Sequence, residues 1–222
     1  MIRRQRRPVL AHLTPLGVLG TLVVTLVAGT KRTPGEFVEV SRLDPTIVID
    51  LPYATERNFC KTKLYPVERC FLRREVAERL VAAHRSLADR GVGLKIWDGY
   101  RPRSVQYKMW EVSPMPGFVG DPRQGSKHNR GAAVDVTLVN LVTGGELEMP
   151  TPFDEFSLRA ASTFSGLPLN VAANRTLLQE TMQAQGFTTI SREWWHFDYQ
   201  GWADFALSDE SFESLFESES KE

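Results

Sequence analysis

The sequence predicts an α+β fold, a single compact domain in which a mixed or antiparallel sheet is flanked by helices. Three observations lead there. The 222 residues, 42% of them hydrophobic, fill one core and leave little room for a second. Helical and extended patterns follow one another irregularly rather than in βαβ alternation. A tight hairpin signal, Thr143-Gly144-Gly145-Glu146, lies between two extended runs, as adjacent antiparallel strands require.

The elements follow in order. Residues 31–45 read as a linker leading into the domain of residues 46–207. Thr46 to Asp50 is a short β-branched run stopped at Leu51-Pro52, hence an edge strand. From Arg73 to Ala88, Val76, Leu80, Val81, Ala83, Leu87 and Ala88 recur at helical spacing, and Arg90-Gly91 ends the helix. Leu94 to Trp97 reads as a strand entering the turn Asp98-Gly99-Tyr100-Arg101-Pro102, and a second helix starts near Ser104 because Pro102 can open a helix but not continue one. Residues 114–125 hold three prolines and three glycines and form a loop. Ala132 to Val142 is β-rich and turns back into Leu147 to Met149. Leu169 to Gln185 is a third helix ended by Gly186, followed by strands at Phe187 to Ile190 and Trp194 to Tyr199. Residues 208–222 carry six acids and one lysine and read as a solvated tail.

The zero net charge hides an asymmetry. Residues 1–30 hold Arg3, Arg4, Arg6 and Arg7 and no acid, which leaves 23 basic against 27 acidic residues in the rest. The body therefore lacks the basic excess of a nucleic-acid binder. A basic start followed by the apolar stretch Leu16 to Ala28 reads as a signal peptide, with an uncleaved membrane anchor as the alternative. The expected location is the periplasm or cell surface. In that oxidising setting the only two cysteines, Cys60 and Cys70, form a candidate disulfide worth about 2–3 kcal/mol; two reduced buried thiols are the alternative.

Two of the four histidines stand in suggestive company. His128 and Asp135, seven apart, would face opposite ways in a regular strand and converge only if the chain breaks between them, a break that Asn129-Arg130-Gly131 supplies. His196 lies among Trp194, Trp195 and Phe197, as core histidines do, but Glu193 three residues earlier offers a carboxylate beside it. Together His128, Asp135 and His196 would make a three-donor site with an open fourth position, the pattern of catalytic zinc, with Glu193 placed for proton removal. Arg101 on its turn is either an oxyanion-stabilising guanidinium or a surface arginine paired with Asp98. His12 and His84 read as uninvolved.

The strings DGYRP at 98–102, SKHNRGAAVD at 126–135 and EWWHF at 193–197 resemble the zinc-dependent D-alanyl-D-alanine dipeptidases. The likeness runs from about Ile47 to Phe205 and takes in YATERNF at 53–59, CFLRREVAE at 70–78 and TPFDEF at 151–156. It implies a metallopeptidase fold of the D,D-peptidase type and one zinc ion held by His128, Asp135 and His196. By the same resemblance Glu193 is the base acting on zinc-bound water, and Arg101 stabilises the tetrahedral intermediate. Asp154 and Tyr53 recognise the ammonium end of a small D,D-dipeptide, and Ser126 lines the pocket. Cys60 and the N-terminal segment depart from the family pattern. A D,D-carboxypeptidase or peptidoglycan endopeptidase, and an inactive cell-wall binding module, are the alternatives.

Overall fold

A computed structural model describes residues 35–113 and 118–219. Residues 1–34, which include the segment read as a signal peptide or anchor, residues 114–117 and residues 220–222 lie outside the described residues. In chain order the strands are β1 (Phe37–Glu39), β2 (Val48–Ile49), β3 (Phe71–Arg73), β4 (Val92–Asp98), β5 (Ala133–Asn140), β6 (Phe187–Thr189) and β7 (His196–Tyr199). The helices are α1 (Val40–Leu43), α2 (Arg74–Ser86), α3 (Arg103–Val112), α4 (Leu169–Ala184) and α5 (Phe212–Glu219).

The main sheet has the order β2-β4-β5-β7-β6 and is mixed: β2 runs parallel to β4, and every other pairing is antiparallel. β2 is an edge strand, as its length and Pro52 require. β5 lies inside the sheet and is buried at every residue but its last, which is why its sequence reads as an almost unbroken apolar run. The stripe of Val76, Ala77, Leu80, Val81 and Ala83 on α2 is buried in the core, and α4 adds Val171, Leu178 and Met182. Gly91, in the left-handed conformation at φ 66°, follows the short 3-10 turn that extends α2. Among the described residues no helix is long and apolar enough to cross a membrane.

Four expectations need correction. The segment 31–45 is not only a linker, because β1 pairs with β3 and Val38 and Val40 are buried. The tail is not wholly solvated. Phe212, Leu215 and Phe216 fall on one helical face, and Phe212 packs its ring 5.0 Å from Tyr65 and 6.0 Å from Phe71. The hairpin after β5 closes with the single bridge Val139 to Glu146, so Leu147 to Met149 form no strand. Cys60 and Cys70 are not bonded; both are buried free thiols. Separate local structures fix them: the Cys60 N–H donates to Asn58 Oδ1, whereas Cys70 precedes β3 with its sulfur against Gly99. Burial pushes the Cys60 thiol up to about 11.

Candidate metal centre and active site

Strand register creates the floor of the site. Asp98 on β4 pairs with Asp135 on β5, and Asp135 pairs with His196 on β7, so three polar side chains lie in a row across neighbouring strands. A shift in the β4–β5 register between Ile96 and Asp98 brings Asp98 opposite Asp135. His128 arrives from outside the sheet on a 3-10 turn, His128–Arg130, which ends at Gly131 with φ 66°. A side chain at Gly131 would also collide with the Phe37 ring. This is the chain break that lets His128 fold back over Asp135.

The three donors then converge. His128 Nε2 is 3.1 Å from His196 Nδ1, His196 Nδ1 is 3.0 Å from Asp135 Oδ1, and His128 Nε2 is 3.5 Å from the same oxygen. Tetrahedral coordination at about 2.0–2.1 Å spaces its ligand atoms about 3.3 Å apart, so the triangle has the size such an ion requires. The far nitrogens are tethered as well. His128 Nδ1 donates to the Gly99 carbonyl at 2.8 Å and His196 Nε2 donates to Asp198 Oδ1 at 2.9 Å, which aims the other nitrogen of each ring at the centre. Lys127 Nζ, 3.1 Å from Asp198 Oδ2, holds that carboxylate in turn.

Electrostatics agree with a cation site. Burial disfavours a charged His196, but Asp135 and Asp198 outweigh it and push its pKa up to about 10. Burial likewise raises Asp135, yet His128 and His196 hold it below the usual carboxylate range. A metal ion held by these residues would displace the proton that binds between His196 and Asp135. Glu193, with Oε2 3.9 Å from His196 Nδ1, carries no such tether and burial pushes it up to about 7. Its neighbour Trp194 anchors the segment: the backbone N–H donates to Ala160 and the indole N–H to Thr151 Oγ1 at 2.9 Å.

Arg101 pairs with Asp98, as one of its two sequence readings expected, but it is buried in the site and not at the surface. Its Nε and Nη2 donate to Asp98 Oδ2 at 3.1 and 2.6 Å, and Nη1 donates to Gln106 Oε1 at 2.7 Å. Asp98 is fixed from its other side by the Tyr65 hydroxyl at 2.7 Å and the Gly99 N–H at 2.9 Å. The guanidinium lies 5.3 Å from the centre of the Tyr53 ring. The Tyr53 hydroxyl reaches both oxygens of Asp154, at 3.1 and 2.9 Å, and burial pushes the Asp154 carboxyl well above its usual range. Ser126 Oγ accepts the His128 N–H at 3.2 Å, supporting the metal loop from below.

A cavity of about 360 Å³ is lined by Tyr53, Arg101, Ser126, His128, Asp135, Asp154, Glu193 and His196, the full set read from the sequence apart from the cysteines. That reading missed Gln106, Asp198 and Lys127, and it named Asp98 only as a surface partner of Arg101. Asp198 carried a signal, because it lies two residues after His196 in a strand and so shares its face. Gln106 carried none.

A fold that brings three metal-type donors, a buried glutamic acid and a buried arginine into one cavity has the make-up of a metallopeptidase. The chain belongs to the peptidase family described as D-ala-D-ala dipeptidase, which matches residues 33–215. It is 34% identical over 177 residues to the D-alanyl-D-alanine dipeptidase of Escherichia coli, covering 80% of this chain and 91% of that protein. It is also 34% identical over 171 residues to the D-alanyl-D-alanine dipeptidase of Enterococcus faecium, covering 67% of this chain and 83% of the relative. Among solved structures, the vancomycin resistance D,D-dipeptidase VanXYg in complex with a D-Ala-D-Ala phosphinate analog covers 84% of this chain and 72% of its own, at 15% identity and a TM-score of 0.39.

Proposed function

We propose that this peptidase is a zinc-dependent D,D-dipeptidase that hydrolyses D-alanyl-D-alanine to two D-alanines in the turnover of cell-wall peptide. The observation that carries the reading is the His128, Asp135 and His196 triangle sharing one small cavity with Glu193, Arg101 and Asp154. One zinc ion per chain fits the donor set and its spacing. When bound, zinc supplies Lewis acidity towards the peptide carbonyl and lowers the pKa of water.

The protein's own groups do the rest. Glu193, raised towards neutrality by burial, takes a proton from the attacking water and passes it to the departing amine. Arg101 uses three of its five N–H donors on Asp98 and Gln106, which leaves two on a rigid fork for the charge that develops on the carbonyl oxygen. Asp154, braced by Tyr53, meets the substrate's ammonium group, and at about 360 Å³ the cavity is at the small end of ligand sites of roughly 300–1,000 Å³. Residues 1–30 support export to the periplasm or cell surface by a cleaved signal peptide; an intact N-terminus on the membrane-bound protein would instead establish an anchor.

The deciding experiment measures D-alanine released from D-Ala-D-Ala, N-acetyl-D-Ala-D-Ala and L-Ala-L-Ala with and without a chelator. Chelator-sensitive cleavage of the free D,D-dipeptide alone is the expected result. Cleavage of the blocked substrate as well moves the protein to the carboxypeptidase class, and zinc binding without cleavage makes it a binding module.

A further inference from the structure

The catalytic cavity is not the only space beside Asp154. A second cavity of about 380 Å³, lined by Asp50, Arg57, Lys61 and Trp97 among others, shares just two lining residues with it, Phe59 and Asp154. We infer that Phe59 and Asp154 are the partition that restricts this enzyme to dipeptides, and that the open groove behind them is of a size to take an amino-terminal extension of the substrate. The inference rests on the dipeptidase reading, in which Asp154 faces the substrate's ammonium nitrogen. Any residue added to that nitrogen grows towards Asp154, and so towards this wall.

The wall rejects an extended peptide in two independent ways. Phe59 is the last member of a chain of rings across the catalytic cavity. Phe118 and Phe156 lie 5.0 Å apart, Phe156 and Phe59 5.3 Å, and Phe59 stands edge-on to Tyr53 at 6.2 Å. A half-buried ring in contact with both Tyr53 and Phe156 stands between the two spaces, where an added residue would have to pass. Asp154 supplies the second barrier. An ammonium group compensates its half-buried carboxylate with a full charge, whereas the N–H of a peptide bond does not, and leaving a carboxylate uncompensated at this depth is costly. Its backbone is held at φ 58°, in the left-handed region that a non-glycine residue seldom occupies, so its placement at this boundary is imposed by the surrounding fold. A space of about 380 Å³ matches the volume of the catalytic cavity itself, so size does not bar a further residue once the partition opens.

The test compares kcat/KM for D-Ala-D-Ala and Gly-D-Ala-D-Ala in the zinc-loaded full-length protein and in Phe59→Ala, Asp154→Asn and the double variant. In each case water adds across the terminal D-Ala–D-Ala amide: that C–N bond breaks, a C–O bond forms and the proton leaves on the free amine. Phe59→Ala is expected to raise the tripeptide-to-dipeptide ratio at least tenfold, and the double variant at least a hundredfold, because steric and charge barriers fall together. If Phe59→Ala does not fold, Phe59→Leu keeps the comparison, with an expected rise of about threefold. A double variant that is folded, binds zinc, cleaves the dipeptide and leaves the ratio unmoved overturns the partition alone. Wild-type protein that cleaves the tripeptide as readily as the dipeptide also overturns it. Wild-type protein inactive on the dipeptide overturns the underlying dipeptidase reading, and the partition with it.

Discussion

The residue whose removal best separates metal affinity from chemistry is Asp198. It touches no substrate-facing atom of the cavity, and its two oxygens connect His196 Nε2 at 2.9 Å to Lys127 Nζ at 3.1 Å. Asp198→Asn keeps an amide oxygen that can accept from His196 but removes the charge. A hydrogen bond to an ionised partner contributes about 1.5–3 kcal/mol and is roughly twice as strong as a neutral one, so the loss is on the order of 1–1.5 kcal/mol, or about tenfold in zinc affinity. Asp198→Ala removes the acceptor altogether, leaves a buried N–H unpaired and frees the ring to turn. Its expected loss is about a hundredfold, near the upper limit for the outer partners of metal ligands. Competition against a chromophoric chelator measures both, with thermal unfolding of the zinc-loaded proteins to show that each variant is folded. At saturating zinc most of the activity should return. Zinc affinity in Asp198→Ala equal to wild type would refute the idea that this carboxylate orients His196.

Three further predictions follow from the same geometry. Glu193→Ala should lower kcat by roughly 10²- to 10⁴-fold while the purified protein keeps its zinc; metal analysis beside D-alanine release checks this, and a zinc-free variant counts against Glu193 as a base that does not ligate. Arg101→Lys keeps the charge but loses the fork to Asp98 and Gln106, so kcat should fall about 10²- to 10³-fold with a smaller change in KM, read from steady-state kinetics. His84 is buried, accepts the Leu94 N–H on Nδ1 at 3.0 Å and meets Thr46 Oγ1 through Nε2 at 3.0 Å. Burial lowers its pKa below 6.5 in the folded state, so the unfolded chain binds the extra proton more readily. Its stabilisation is then complete above about pH 6.5 and fades as pH falls below it, and denaturant midpoints between pH 7.5 and 5.5 should drop more steeply in wild type than in His84→Gln.

What could be read from the sequence depended on how far each signal travels along the chain. α2 and β5 were legible because their burial is written in local periodicity, as the apolar stripe from Val76 to Ala83 and the run from Ala133 to Val139 show. β1 and β3 were not, because three residues carry no period and their pairing joins segments more than thirty positions apart. The tail misled through composition: six acids concealed the spacing of Phe212, Leu215 and Phe216. At the site, the break at Gly131 was visible and the need for it could be argued from strand geometry. The row of Asp98, Asp135 and His196 could not, since it depends on strand order and on a register shift near Trp97 that no local pattern announces. The six shared strings supplied the missing long-range information, and they did so for residues that line the cavity. They leave out Gln106, and they contain Lys127 without announcing its pairing with Asp198.

The acidic tail, the segment least promising in composition, helps explain how two turns from different parts of the chain hold a catalytic geometry. Arg101 and His128 lie on separate turns, joined by the Arg101 N–H to the His128 carbonyl at 3.1 Å and by Asn129 Nδ2 to the Arg101 carbonyl at 2.8 Å. The tail locks this seam from outside, since the Ser208 N–H donates to the Asn129 carbonyl at 2.8 Å while the Ser208 carbonyl accepts from Arg103 at 3.3 Å. One residue on, Asp209 Oδ1 accepts the Ser104 N–H at 2.7 Å. α3 begins after Pro102, which has no side chain able to cap it, so a distant aspartate provides both the missing acceptor and the negative charge that a helix N-terminus favours. One of the acids that made the tail look solvated, Asp209, therefore serves as a cap for the helix that carries Gln106, and through Gln106 it bears on the orientation of Arg101. A site that must hold its groups to within about half an ångström gains more from such backbone links than from any single side chain in the cavity.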